Sequence, residues 1–145
     1  MKYATTKQFY GKLKGMIEMS DAEFDRIISE AMDTLPEKYM SRLNNVLITY
    51  EDEPSPEQRE KLKLACNQTL FGLYEGIPLT QRGSGYNLVL PDRITLFKNP
   101  ILHASSSLAA FKEQVRHTLW HEVAHYFGLD HDRIHELERP GGPVG

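Results

Sequence analysis

Residues 121–131 read His-Glu-Val-Ala-His-Tyr-Phe-Gly-Leu-Asp-His, the pattern H-E-x-x-H-x-x-G-x-x-H. Two histidines four residues apart on a helix lie one turn apart on the same face, roughly 40° apart around the axis. Both imidazoles, His121 and His125, can therefore reach one metal ion without straining the backbone. Glu122 projects beside them, where a carboxylate can accept a proton from a water that the metal activates. Gly128 can take a positive φ without steric cost, so the helix can stop there and the chain can turn back. The turn predicts His131 as a third ligand, with the fourth position left to water, which is the open form of a catalytic zinc site. In a chain of this composition H-E-x-x-H alone arises by chance roughly once in fifty. The added Gly and His lower that to below roughly one in ten thousand, so it is the long form that carries weight.

The rest of the composition sets limits around that motif. At 145 residues the chain fits one domain, and 40% hydrophobic with 26% charged residues is ordinary for a soluble globular protein. A net charge of −3 gives no overall basic footprint for nucleic acid or an anionic membrane. No apolar run approaches the eighteen or so residues that a membrane-spanning helix needs. The first eight residues carry charge but no apolar signal-peptide core, and Cys66 is the single cysteine. Both features predict a cytoplasmic protein without disulfides. Cys66 itself reads as a small buried hydrophobe on a helix.

Along the chain, Phe9, Tyr10, Leu13, Met16 and Ile17 stand at helical spacing, which predicts a short front helix over 5–17. Ser20-Asp21-Ala22-Glu23 is a capping box, followed by an apolar stripe of Phe24, Ile27, Ile28, Ala31 and Leu35. Pro36 opens another short helical piece that runs to about Leu43. Val46 to Tyr50 is β-branched and aromatic enough for a first strand. The stretch from Pro56 to Leu62 is compatible with helix or disorder. Leu70 to Pro78 is apolar but broken by glycines, which suits a buried irregular segment or a short strand. Asn87–Leu90 and Arg93–Phe97 are strand candidates around Pro91-Asp92, forming a hairpin or one interrupted edge strand. From about Ser107 a long helix runs to Phe127, with Val115, Leu119, Val123 and Tyr126 as its core stripe. A last helix, Arg133 to Glu138, has Asp130 or Asp132 to cap it.

The other histidines are weighed by position. His117 sits one turn before His121, where it can tune the site without ligating the metal, although an exposed helix position accounts for it more simply. Asp130 is a second candidate beside the site. His103 falls in a loop and His135 in the final helix, both as surface residues. Glu136 and Glu138 lie too close after His125 to fold back as a third ligand, so His131 is preferred.

The chain resembles the small bacterial zincin-like metallopeptidases, the minimal zincins. The resemblance covers residues 20–138 and is carried by Leu73 to Thr80, Pro91 to Phe97, Gln114 to Thr118 and His121 to Leu137. It implies an α/β fold of the α+β kind, a short mixed sheet packed by helices with the motif helix under the cleft. Around that domain the chain divides into a front extension, 1–19, and a tail, 139–145. The resemblance implies metal binding by His121 and His125 and a general base at Glu122. Members commonly carry Asp where this chain has His131, which moves its site toward the metzincin pattern. The methionine turn of metzincins has no counterpart here, since the last methionine is Met40.

Three functions follow from these residues. The first is a metallopeptidase with one Zn²⁺, acting on a peptide or protein substrate, with neither nucleic acid nor membrane as partner. An extended peptide would pair with the strand edge near Asn87–Leu90 or Arg93–Phe97. Arg93, Tyr74 and His117 are its candidates for stabilising an oxyanion. The second is a non-catalytic scaffold that binds a partner, for which Glu122 would have no use. The third is a metal-dependent endoribonuclease of the ribosomal-RNA maturation type, H-G-x-x-H-x-x-G-x-D-H. It matches at His121, His125, Gly128, Asp130 and His131 but requires glycine at Glu122, and the acidic chain disfavours a phosphate-rich substrate.

Overall fold

A computed structural model describes residues 18–65, 71–77, 91–129 and 133. The front helix, the strand at Asn87–Leu90, Cys66, the tail and, apart from a helical Arg133, the last helix lie outside the described residues.

Helix α1 spans Asp21–Thr34 and opens as its capping box requires. The Ser20 hydroxyl accepts from the Glu23 amide at 3.1 Å. It ends at Leu35, whose extended backbone (ψ 155°) is what the following Pro36 enforces by clashing with an α conformation. A single turn, α2 (Glu37–Met40), follows. The chain then reverses at Asn45, the one non-glycine with positive φ (57°) among the described residues, and enters β1 (Val46–Glu51). Asparagine tolerates this left-handed conformation better than most residues.

Pro56–Ala65 is a helix, α3, and the sequence holds a signal for it. Ser55 and Gln58 form a reciprocal capping box, Ser55 amide to Gln58 Oε1 at 2.8 Å and Gln58 amide to Ser55 Oγ at 3.1 Å. Pro56 occupies the first helical position, where no amide hydrogen is needed. Gly72–Glu75 is a strand, β2, so of the two alternatives for this glycine-broken segment the short strand holds. β3 is Asp92–Phe97, and it passes directly into α4 (Lys98–Ala104), a helix that the sequence pattern does not announce. His103 therefore lies in the last turn of a helix and not in a loop; it is exposed there. α5, Leu108–Tyr126, is capped by the Ser107 hydroxyl, which accepts from the Ala110 amide at 3.1 Å.

The sheet is mixed, in the order β1-β3-β2, with β1 parallel to β3 and β2 antiparallel to it. Arg93–Phe97 is thus the central strand and not an edge. Its β-branched and aromatic residues are buried on both faces, from Ile94 to Phe97, which is how a central strand reads. With both edges paired, β3 cannot take an added peptide, so that docking edge is ruled out.

Strand alternation assigns the two faces. Val46, Ile48, Tyr50, Ile94, Leu96 and Tyr74 belong to the main core, together with α1 and α5. Arg93, Thr95, Phe97, Leu73 and Glu75 point the other way, where Leu73 and Phe97 make a small second cluster. Val115, Leu119, Val123 and Tyr126 of α5 are all fully buried, as the stripe requires. From Thr118 to Ala124, however, burial extends all round the helix. α1 packs on one side and β2 and β3 on the other, so the second half of α5 is an interior helix and not an amphipathic surface one.

Lys98 ties these layers together. Its ammonium group, only 8% exposed, meets Asp21 at the start of α1 at 2.5 Å and Asp52 after β1 at 3.3 Å. Burial would push this group below its ordinary value, but the bonds to Asp21 and Asp52 outweigh it and hold the lysine above that value. No helix among the described residues is long and apolar enough to cross a membrane.

Phe24 has no exposed surface and its ring stands 5.2 Å from Tyr50 and 5.7 Å from Phe111. Phe24→Ala should therefore cost about 3–5 kcal/mol in urea-unfolding experiments. The whole domain should still unfold in one transition, because α1 shares its core with α5.

Candidate metal centre

α5 delivers the first part of the site by spacing alone. The His121 and His125 Nε2 atoms lie 3.1 Å apart, with ring centroids 4.7 Å apart and ring planes at 72°. Two imidazole nitrogens bound to one tetrahedral zinc at 2.0–2.1 Å would be separated by about 3.3 Å. The ring nitrogens thus already converge on a single point, and the residues fit a shared ion. His121, Glu122 and His125 each offer a ligand atom, and these atoms lie within 4.8 Å of one another.

The end of the helix is built as the motif requires. Gly128 has φ 75°. Its amide donates to the His125 carbonyl at 2.9 Å and the Leu129 amide to the Ala124 carbonyl at 3.1 Å, the paired bonds of a Schellman turn. His131 follows three residues after this turn. His131 and Asp130 lie outside the described residues, as do Glu136 and Glu138. His117 is exposed, one turn before His121 and near the Glu113 carboxylate.

Behind the histidines, Tyr126 stabilises the helix terminus. Its fully buried hydroxyl accepts from the Asn44 amide at 3.3 Å. The chain reversal at Asn44-Asn45 is thereby fixed to the same turn of α5 that carries His125.

Glu122 has an environment that the sequence does not disclose. It is 4% exposed, and its Oε1 accepts from the backbone amide of Tyr74 in β2 at 3.0 Å. Burial pushes its carboxyl up to about 8, partly opposed by that amide bond, which favours the charged form. The close approach of β2 to α5 depends on Gly72. A Cβ there would lie 2.7 Å from Thr118 Cγ2, 3.1 Å from Leu96 Cδ2 and 3.3 Å from Glu122 Cγ. Gly72, one of the glycines that break the hydrophobic pattern, is therefore what allows the strand to reach the motif helix.

Two of the three oxyanion candidates are held elsewhere. Arg93 Nη2 donates to Glu75 Oε1 at 2.8 Å on the sheet face opposite α5. Burial would raise the Glu75 carboxyl, but Lys61 and Arg93 outweigh it and hold it below its ordinary value. The Tyr74 hydroxyl donates to Asp92 Oδ2 at 2.7 Å, so Tyr74 serves the site through its main chain. Arg93 is excluded by strand parity: one residue along from Ile94, its side chain leaves on the opposite face.

A buried HExxH helix packed on a small mixed sheet defines the class as zincin-like. The chain matches the zincin-like metallopeptidase family over residues 43–140, more than half of its 145 residues, and belongs to that family. Comparison with curated proteins gives no match. The family match begins after α1, yet Phe24, Ile27, Ile28 and Ala31 of that helix complete the core against α5.

Two outcomes follow. In metal-free protein Glu122, raised from 4.5 to about 8, keeps its proton between those values while the unfolded chain has lost it. The folded state then binds more protons, so stability must fall as pH rises from about 5 to about 8. The thermal midpoint of metal-free Glu122→Gln should lack this component of the slope. Gly128→Val, forced into φ 75°, should weaken zinc affinity in a competition titration without removing a ligand.

Proposed function

We propose that this protein is a zinc-dependent endopeptidase acting on peptide or protein substrates. The observation that carries this reading is the meeting of His121, His125 and a buried Glu122 at one point. His121 and His125 would hold the ion, and His131, three residues beyond the positive-φ turn, would be the third ligand. Zinc bound there would polarise a scissile carbonyl and make a water nucleophilic near neutral pH.

Glu122 is the base. Its Oε1 is taken by the Tyr74 amide, so Oε2 receives the proton from the attacking water and returns it to the leaving amine. A raised carboxyl suits both halves of that exchange, since the group must give the proton up as readily as it takes it. A cation beside Glu122 would lower its pKa toward neutrality and favour the ionised form at the start of the cycle. Burial also excludes bulk water from the proton's path.

A glutamate at position 122 supports hydrolysis over the scaffold alternative, because burying a carboxyl among apolar side chains is costly and a scaffold gains nothing from it. The same residue separates this chain from the endoribonuclease pattern, which has glycine there.

Zinc should bind at one ion per chain at pH 8, with occupancy falling below about pH 6 as the imidazoles protonate. Glu122→Gln should keep the zinc and lose at least about a hundredfold in cleavage of a quenched-fluorescence peptide library. His125→Ala should lose both. His131→Asp should retain a working site, since a carboxylate also ligates zinc. Zinc at full occupancy with wild-type protein that cleaves no peptide would favour the scaffold.

A further inference from the structure

The contact between Glu122 and β2 does not stand by itself. Tyr74 is held through its hydroxyl, its ring and its amide. Its hydroxyl donates to Asp92 Oδ2 at 2.7 Å, its ring meets Tyr126 edge-on with centroids 6.2 Å apart, and its amide donates to Glu122 Oε1 at 3.0 Å. Asp92 is anchored in turn. It is 3% exposed, begins the central strand, and its own amide donates to the Asn45 carbonyl at 3.0 Å. Room for its carboxylate comes from Gly76, where a Cβ would lie 2.4 Å from Asp92 Cγ. At the other end of β2, Gly72 removes the side chain that would push the strand off Thr118 and Glu122.

These are two glycines, a buried carboxylate and a phenol, all acting on one short strand. β2 pairs with β3 over only four residues, the first of them a glycine with no side chain to fix its register. The Tyr74–Asp92 hydrogen bond adds a side-chain tie between the two strands. It thereby places the amide that meets the base. A carboxylate with one oxygen fixed loses its freedom to rotate, so its other oxygen is presented in one direction.

We propose that Asp92, Tyr74 and Gly72 are positioning residues for Glu122, with the Tyr74 amide fixing one carboxylate oxygen and reserving the other for proton transfer. The proposal rests on the peptidase reading for its consequence but not for its geometry. None of the three residues is a metal ligand or touches the reacting atoms.

The geometry is tested in metal-free, ¹⁵N-labelled protein by amide exchange. The Tyr74 amide should exchange at least about tenfold faster in Glu122→Ala than in wild type, while the amides of α1 are unaffected. The consequence is tested in zinc-loaded protein on the quenched peptides. Asp92→Ala should lower kcat about tenfold or more at unchanged KM and zinc content, and Asp92→Asn, which keeps an acceptor for the phenol, should recover most of it. Tyr74→Phe provides the same comparison if Asp92→Ala does not fold, and Gly72→Ala should act in the same direction.

A Tyr74 amide indifferent to Glu122→Ala overturns the relay and leaves the peptidase reading intact. Equal losses of zinc, stability and kcat in Asp92→Ala, with no recovery in Asp92→Asn, reduce Asp92 to a structural role and also overturn it. Wild-type protein that cleaves nothing while the Tyr74 amide still depends on Glu122 sinks the functional reading and leaves the relay standing.

Discussion

Keeping a carboxyl group buried in the middle of a helix is the constraint around which the described structure is arranged. Glu122 is surrounded by α5, β2 and the core, with its neighbours from Thr118 to Ala124 also buried. A buried carboxyl without partners is destabilising by several kcal/mol as an anion, and it responds by holding its proton. Among the described residues, the Tyr74 amide is the backbone donor that favours the ionised form. For that donor to arrive, β2 must come closer to the helix than any side chain at position 72 permits. Gly72 in β2, the antiparallel register and the tie to Asp92 are all conditions of that one contact.

The rest of the architecture makes the buried helix possible. α5 can be enclosed only if something covers the side away from the sheet, and α1 does so through Phe24, Ile27, Ile28 and Ala31. Lys98 then joins α1 to the start of α4 and to the loop after β1, replacing lost hydration with two carboxylates. The family match starts beyond α1, but the core does not. A protein with such a small sheet has little apolar surface to spare, so the covering helix belongs to the folding unit in energetic terms.

The candidate ligands and the proposed base are placed by different means. The histidines are placed by helical spacing, and their nitrogens converge without any help from the sheet. Glu122 is placed by a contact 48 residues away in sequence. On the proposed peptidase reading, disturbing β2 should therefore affect proton transfer more than metal binding. Disturbing the Schellman turn at Gly128 should do the reverse.

Local chemistry made much of this legible from the residues alone. The capping box at Ser20, the stripe of α5, the strand at Val46–Tyr50 and the positive φ at Gly128 each depend on neighbours within a few positions, where propensity and spacing decide. The pairing of His121 with His125 belongs to the same category. The Ser55–Gln58 capping box was equally local, and its signal sat in a proline-containing acidic stretch that reads as a loop. What only the tertiary structure decided was long-range. Arg93–Phe97 became the central strand because β1 and β2, distant in sequence, pair on either side of it. Strand parity then sent Arg93 to Glu75 and away from the candidate metal site, and kept Tyr74 on the side of Glu122. Spacing along one element fixes which side chains share a face. Which faces meet is set by register and burial over the whole chain, and that is where the environment of Glu122 was determined.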